Sequence, residues 1–330
     1  LGQARIGFDE LAARVAKMTA AKEFLKNTAW RNATLEPING DASARKYFRL
    51  NHDGKSSILM DASHVREIIA PFVQINEHLH QLGFSAPKIL AGDGENGFLL
   101  LEDFGYETFS YLLENNFEPE KLFLLATDVL IALHKHPQAV PKNLRAYHPK
   151  KMLTDVELFL DWHSASEKAK AEFKNAWLEV LPLAHEVPSS LLLRDYHVAN
   201  LMLLPGREGI RRAGLLDFQD AYQGPVTYDL VSLLEDARRD LPSGLKEKMI
   251  AHYLAHFPKL DRQAFETSLA ILAALRHTRV LAVFEKLSRE RKPDYKKLHS
   301  PRVERLLQAA LRHPTLAGVK QWFSRYARQD

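Results

Sequence analysis

"LLLRDYHVANLMLL", residues 191–204, places Arg194, Asp195, Tyr196, His197 and Asn200 between two apolar runs. Runs of this length bounded by polar residues read as short buried strands. The polar middle then has two readings. A plain hairpin turn is one, since Asp and Asn favour turns. The other is an active-site loop held by the strands on either side. "AGLLDFQD", residues 213–220, favours the second, because another apolar run ends there on an acid, Asp217. Phosphoryl transfer needs such an inventory. One carboxylate takes the proton of the attacking hydroxyl, and a second carboxylate joins an amide oxygen in holding Mg²⁺.

Composition sets the frame around this pair of loops. The chain has 330 residues, 46% apolar and 26% charged, enough for a large core and for about two domains or lobes. Net charge is +4 with basic and acidic residues interleaved, which suits an anionic small ligand and gives no nucleic-acid stripe. Arg207, Arg211 and Arg212 form the nearest thing to a patch and read as a solvated loop. Without cysteine there is no disulfide, thiolate metal site or cysteine nucleophile. Apolar runs are short and interrupted by charge, so no membrane span is expected. Arg5, Asp9, Glu10, Arg14 and Lys17 argue against a signal peptide, and a cytoplasmic location is expected. A start at Leu1 suggests a front-trimmed chain.

Moving outward, residues 8–26 carry apolar residues at helical spacing. Strand-like segments follow: "ATLEPI", "RKYFRLN", "KSSILMD", "APKILAG" and "GFLLLED", spread over residues 33–103. A helix predicted over 65–82 interrupts them and stops at Gly83, a C′ glycine. "GDGENG" between the last two strands reads as a hairpin loop. Helical patterns dominate from residue 106 onward. The expected class is α+β in two lobes that meet at a cleft, a strand-rich N-lobe over 1–104 and a larger helical C-lobe over 105–330.

These motifs resemble the protein-kinase-like phosphotransferases, in particular the aminoglycoside phosphotransferase and choline kinase branch with its H-G-D-x-H-x-x-N loop. Asp195, His197 and Asn200 match that pattern, while Leu193 and Arg194 replace its first histidine and its glycine. The resemblance implies a two-lobe kinase fold, Asp195 as catalytic base, and Asn200 and Asp217 as metal ligands. It makes Asp229 in "GPVTYDL" a buried acid bracing the loop. A narrower set, "GDASARKYFRL", "ILMDAS", "FLLLEDFG", "YDLVSLLEDARRD" and "KPDYKKLHSPRV", resembles the N-acetylmuramate/N-acetylglucosamine anomeric sugar kinases of bacterial cell-wall recycling, over about residues 38–305. That resemblance implies ATP and Mg²⁺ as cofactors and an amino sugar phosphorylated at its C1 hydroxyl. The expected partner is a small molecule, with neither nucleic acid nor membrane, and the enzyme a monomer or weak dimer.

The remaining site residues are weighed singly. "GDASARKYF" stands where kinases place a phosphate-covering loop, so Gly40, Ser43, Ala44 and Arg45 are candidate nucleotide contacts, with Arg49 adding charge nearby; an ordinary hairpin with solvated bases is the competing reading. In "LLLEDFG" the backbone of Glu102 and Phe104 is expected to read the adenine, and the acids there are otherwise the solvated end of a strand. Met60 occupies the third-strand position where kinases carry a phosphate-pairing lysine, and Glu67 and Glu77 are ambiguous partners on the next helix. Arg45, Arg49 or Lys55 would have to supply the missing charge. His197 is a substrate candidate or the filler of a polar niche. His134 and His136 close a helix and carry no chemistry. Arg276 and Arg279 are candidates for an acceptor carboxylate or phosphate, or else are salt-bridging surface residues. Three functions stay open: an amino-sugar kinase, a same-fold kinase for an aminoglycoside, choline, a fructosamine or a protein side chain, and a nucleotide-binding scaffold. The last is kept by Met60. Protein kinase activity is disfavoured because no A-P-E segment follows "DFQDA".

Overall fold

A computed structural model describes residues 20–38, 45–163, 165–290 and 292–327. Its chain forms two compact units, one from the described residues up to His80 with Ala86–Gly105, the other from Gln81–Ser85 with the described residues from Tyr106 onward.

The first unit is an antiparallel sheet of β1 (Thr34–Ile38), β2 (Lys46–His52), β3 (Lys55–Asp61), β4 (Ile89–Asp93) and β5 (Phe98–Glu102), in the order β1-β2-β3-β5-β4. Side chains alternate across a strand, so each strand serves two faces. Leu50, Leu59, Phe98 and Leu100 pack against Ala21 and Leu25 of a helical stretch over residues 20–26. The rest of the helix expected over 8–26 lies outside the described residues. Ile58, Met60, Leu99 and Leu101 take the opposite parity, and Met60 is fully buried. The lysine position of a kinase third strand is therefore core here. Helix α1 (Ile69–Gln81) follows a short 3₁₀ turn, and its Asn76 side chain donates to the carbonyl of Pro87 at 2.8 Å. Glu67 and Glu77 are both exposed. Gly83 has φ +83°, the left-handed conformation that ends a helix without a Cβ penalty.

The second unit is mainly helical: α2 (Phe109–Glu114), α3 (Pro119–Lys135), α4 (Pro149–Glu157), α5 (Glu167–Val180), α6 (Thr227–Leu234), α7 (Leu245–Ala255), α8 (Arg262–Glu290), α9 (Tyr295–Ala310) and α10 (Ala317–Tyr326). Between α5 and α6 lie four short strands, β6 (Ser189–Leu192), β7 (Leu201–Leu203), β8 (Ala213–Leu215) and β9 (Tyr222–Pro225). β6 pairs with β9 and β7 with β8, both antiparallel. The strands flanking residues 193–200 thus belong to different ribbons, which removes the hairpin reading. Sequence patterning gave no sign of β9, because "YQGP" is too short and too polar to show a period.

Helix α8 runs through the main core, where Ile271, Leu272, Ala274 and Leu275 meet Phe173, Trp177 and Trp322. Phe173 and Trp322 stack edge to face at 4.6 Å, and the Trp322 indole donates to the Ala169 carbonyl. By length and composition α8 alone among the described helices could cross a bilayer, which the interrupted runs of the sequence did not suggest. Two-thirds of that window, 67%, is buried inside the fold, as in the core helix of a globular unit.

The last turn of helix α3 carries His134, whose Nδ1 lies 2.8 Å from the Tyr253 hydroxyl. Burial pushes its pKa down from the usual 6.5 to about 3. A histidine held neutral in the fold contributes stability that is complete above its unfolded pKa and is lost as pH falls from about 6.5 toward about 3. The melting temperature should therefore drop as pH goes from 7 to 4, and more steeply for the parent protein than for His134→Gln. Calorimetric melts of both proteins across that range check this, and parallel pH profiles would contradict it.

Candidate active site

The loop between β6 and β7 is held from three sides. Asp229, in the first turn of α6 and fully buried, accepts backbone N–H bonds from Leu193 at 2.6 Å and Arg194 at 2.9 Å. Burial raises its pKa to about 7, against the two N–H bonds that favour the carboxylate. Tyr196 points inward and donates its hydroxyl to the Ala126 carbonyl at 2.8 Å. A 3₁₀ turn over Val198–Asn200 then carries the chain into β7. Asp195, between these anchors, is half-exposed. A fixed backbone with a half-exposed carboxylate is what a general base needs, since its proton must come from an incoming hydroxyl.

Asn200 and Asp217 meet beside it. The Asn200 Nδ2 donates to the Asp195 carbonyl at 3.0 Å and lies 3.4 Å from Asp217 Oδ2. With the amide nitrogen so engaged, Oδ1 is the Asn200 atom left for a cation. Asp217 follows β8 with φ +61°, a left-handed backbone that turns its carboxylate out of the strand direction. Gln219 Nε2 donates to its other oxygen at 3.1 Å. A carboxylate and an amide oxygen brought together in this way fit a hard divalent cation. No cluster of three or more His, Asp or Glu ligands occurs among the described residues.

His197 is half-buried, with Nε2 3.4 Å from Asn200 Nδ2 and a buried Nδ1 that has no hydrogen-bond partner. Burial lowers its pKa, so the neutral ring is favoured. Arg276 is buried and turned to the Glu235 carbonyl at 3.3 Å, while neighbouring His277 meets the Glu235 carboxylate at 2.5 Å. These two residues brace the segment after α6. Arg279 is half-buried and lies in the electrostatic field of Asp195 and Asp155.

The first unit distributes its candidates differently. Gly40, Ser43 and Ala44 lie outside the described residues. Arg45 is half-buried, its guanidinium 5.8 Å from the Tyr47 ring. Arg49 is not a solvated strand residue. Its Nε and Nη2 grip Asp103 at 2.7 and 3.1 Å, and Nη2 also donates to the Gly105 carbonyl at 2.7 Å. Asp103 is correspondingly not a solvated strand end, because its side chain is 4% exposed and paired. This fork fixes the strand-to-helix joint. The Glu102 N–H is bonded to the Lys88 carbonyl at 2.8 Å, so a base would have to be read by its carbonyl instead. Phe104 is half-buried in the same joint. The paired role of Arg49 and Asp103 leaves no periodic trace, since the two are far apart in sequence.

Residues 34–265 match the phosphotransferase enzyme family. The chain belongs to that family. It is accordingly a phosphotransferase, and its relatives place it among kinases acting on a hydroxyl group. One of them is the N-acetylmuramate/N-acetylglucosamine kinase of Caulobacter vibrioides, 32% identical over 93% of this chain and 96% of that protein. The enzyme of the same name from Pseudomonas aeruginosa is 35% identical over 86% of each chain. Among solved structures, a choline kinase from Streptococcus pneumoniae superposes with a TM-score of 0.65 at 15% identity, over 89% of this chain and 99% of its own. At that identity the likeness concerns the fold, and it is the protein-kinase-like fold expected from the loop motifs.

Proposed function

We propose that this phosphotransferase uses Mg²⁺–ATP to phosphorylate the anomeric hydroxyl of N-acetylmuramate and N-acetylglucosamine in the cytoplasm. The observation that carries the reading is the extent of similarity to kinases of those two sugars, over most of both chains. The loop geometry supports it. Asp195 accepts the proton of the C1 hydroxyl as the hydroxyl oxygen bonds to the γ-phosphorus in line with the bridging oxygen, whose bond to phosphorus breaks and which leaves with ADP; no covalent enzyme intermediate is needed. Asn200 and Asp217 hold the metal, which when bound offsets the negative charge of the phosphates. Asp229 keeps Asp195 in place through two backbone N–H groups.

Met60 leaves the phosphates without the usual strand lysine. Arg45, within the "GDASARKYF" stretch, is the base we assign to them, together with the backbone of Gly40, Ser43 and Ala44. Glu102 and Phe104 would present the adenine with backbone groups. On the acceptor side Arg279 suits the anionic lactyl group of N-acetylmuramate, since a guanidinium fork matches a carboxylate, and His197 offers a neutral ring nitrogen to a sugar hydroxyl.

The test is direct. Incubation with Mg²⁺–ATP and, separately, N-acetylmuramate, N-acetylglucosamine, kanamycin or choline should give an anomeric phosphate by phosphorus NMR with the two sugars only. Product from kanamycin or choline alone would reassign the acceptor. Nucleotide binding with no product from any of them would favour the scaffold reading.

A further inference from the structure

Arg194 takes no part in the chemistry above, and it stands at a glycine position of the branch pattern. Its backbone φ is +69°, a conformation that L side chains rarely adopt. Non-glycine residues persist there only when their surroundings over-determine them, and such sites cluster at functional loops. The surroundings of Arg194 do so through its side chain. Nη2 lies 2.6 Å from Asp155 Oδ2, and the guanidinium carbon lies 5.0 Å from the Tyr147 ring centre and 5.1 Å from that of Tyr222. The paired side chains of Arg194 and Asp155 are only 6% and 4% exposed.

Each partner is itself fixed. Asp155, on α4, accepts the Tyr147 hydroxyl at 2.8 Å and pairs with Lys151 through its other oxygen at 2.5 Å. Tyr147 is tied by its backbone N–H to the Gln223 carbonyl at 2.7 Å. Tyr222 opens β9, the strand that leaves the Asp217 loop and pairs with β6, which leads into Arg194. One guanidinium therefore joins the catalytic loop, helix α4 and the strand after the metal-binding loop, while its own Cα is adjacent to that of Asp195. A surface arginine would need none of this. Neither would a residue kept only for backbone shape, because glycine serves that need better.

We propose that Arg194 is a positioning residue for phosphoryl transfer, its clamp on Asp155, Tyr147 and Tyr222 fixing Asp195 relative to the strand that leaves Asp217. The inference rests on the reading of Asp195 as general base. Displacement of a base by about an ångström can cost about 100-fold in rate without changing what is bound. The clamp should therefore show in kcat and not in KM.

Steady-state kinetics of Arg194→Gly, Arg194→Lys, Asp155→Asn and the Arg194→Gly/Asp155→Asn double variant test it, with ADP affinity and melting temperature measured alongside. The glycine variant should lose about 10–100-fold in kcat while both KM values and the ADP affinity stay within about twofold. Arg194→Lys, which keeps a charge for Asp155, should recover part of that loss. The double variant should lose clearly less than the product of the two single losses, because the two changes share the Arg194–Asp155 contact. A folded glycine variant with parental kcat overturns the proposal, as do losses that simply multiply in the double variant. Should Arg194→Gly fail to fold, Asp155→Asn decides: reduced kcat at constant KM supports the clamp and parental kcat refutes it. If the parent protein phosphorylates another acceptor, the same ratios are read on that acceptor, so the sugar assignment can fail separately. Parental turnover in Asp195→Asn would instead remove the base assignment, whatever Arg194 does.

Discussion

Asp195→Asn should lower kcat by about 10²–10⁴-fold and leave nucleotide affinity as it is. The change is nearly isosteric, so the loop should hold. Its anchors are the Asp229 bonds to Leu193 and Arg194 and the Tyr196 bond to Ala126, none of which uses the Asp195 side chain. The Asn200 contact is likewise to the Asp195 carbonyl. What disappears is the proton acceptor for the attacking hydroxyl, since a neutral amide has no basicity at working pH. Loss confined to kcat, with unchanged ADP titration by calorimetry, is the expected pair of results. A variant that turns over at the parental rate would show that the proton leaves by another route. A variant that loses nucleotide as well would move Asp195 from the acceptor side of the reaction to the phosphate side.

The proximity of Asn200 to Asp217 and to the Asp195 backbone could be anticipated from residues 191–220 because the candidate site is written by residue type and order along one stretch. Acid, amide and second acid each follow or precede an apolar run, and strand ends are where loops become exposed. The antiparallel sheet and α1 were likewise visible as period-two segments and one helical run. Contacts between distant residues were not visible. Arg49 read as a candidate phosphate contact or a solvated base, and Asp103 as a strand end, because nothing near either in sequence announces the other. Arg194 could be recognised as a departure from a glycine pattern, but its partners on α4 and β9 could not. Whether a polar residue is buried depends on what the fold brings to it, and a hydropathy period carries no information about that. Strand β9 escaped for a local reason, since four residues are too few to show alternation. Arg276 and Arg279 illustrate the remaining gap. One helical turn apart, they were equivalent in sequence, yet one is buried against the Glu235 carbonyl and the other is half-buried and feels the charges of Asp195 and Asp155.

Asp217→Asn should abolish the dependence of nucleotide affinity on Mg²⁺ and lower turnover by more than about 10³-fold, as expected where positioning and charge stabilisation supply nearly all of the catalysis. Asparagine is the informative replacement here. Asp217 has φ +61°, and asparagine tolerates the left-handed region better than other side chains, so the turn after β8 should survive where alanine would strain it. Its amide can still meet Gln219, which contacts the present carboxylate at 3.1 Å. The substitution removes one negative charge from a site that must attract a divalent cation. The neighbouring Asn200 oxygen cannot compensate, being neutral. Titration of ADP by calorimetry with and without Mg²⁺ separates the two contributions. In the parent protein Mg²⁺ should tighten binding, and in Asp217→Asn the two curves should coincide at the metal-free affinity. If Mg²⁺ still tightens binding in the variant, the cation is held elsewhere and Asp217 is only part of the turn. A variant that loses metal-free affinity too has lost more than its metal site.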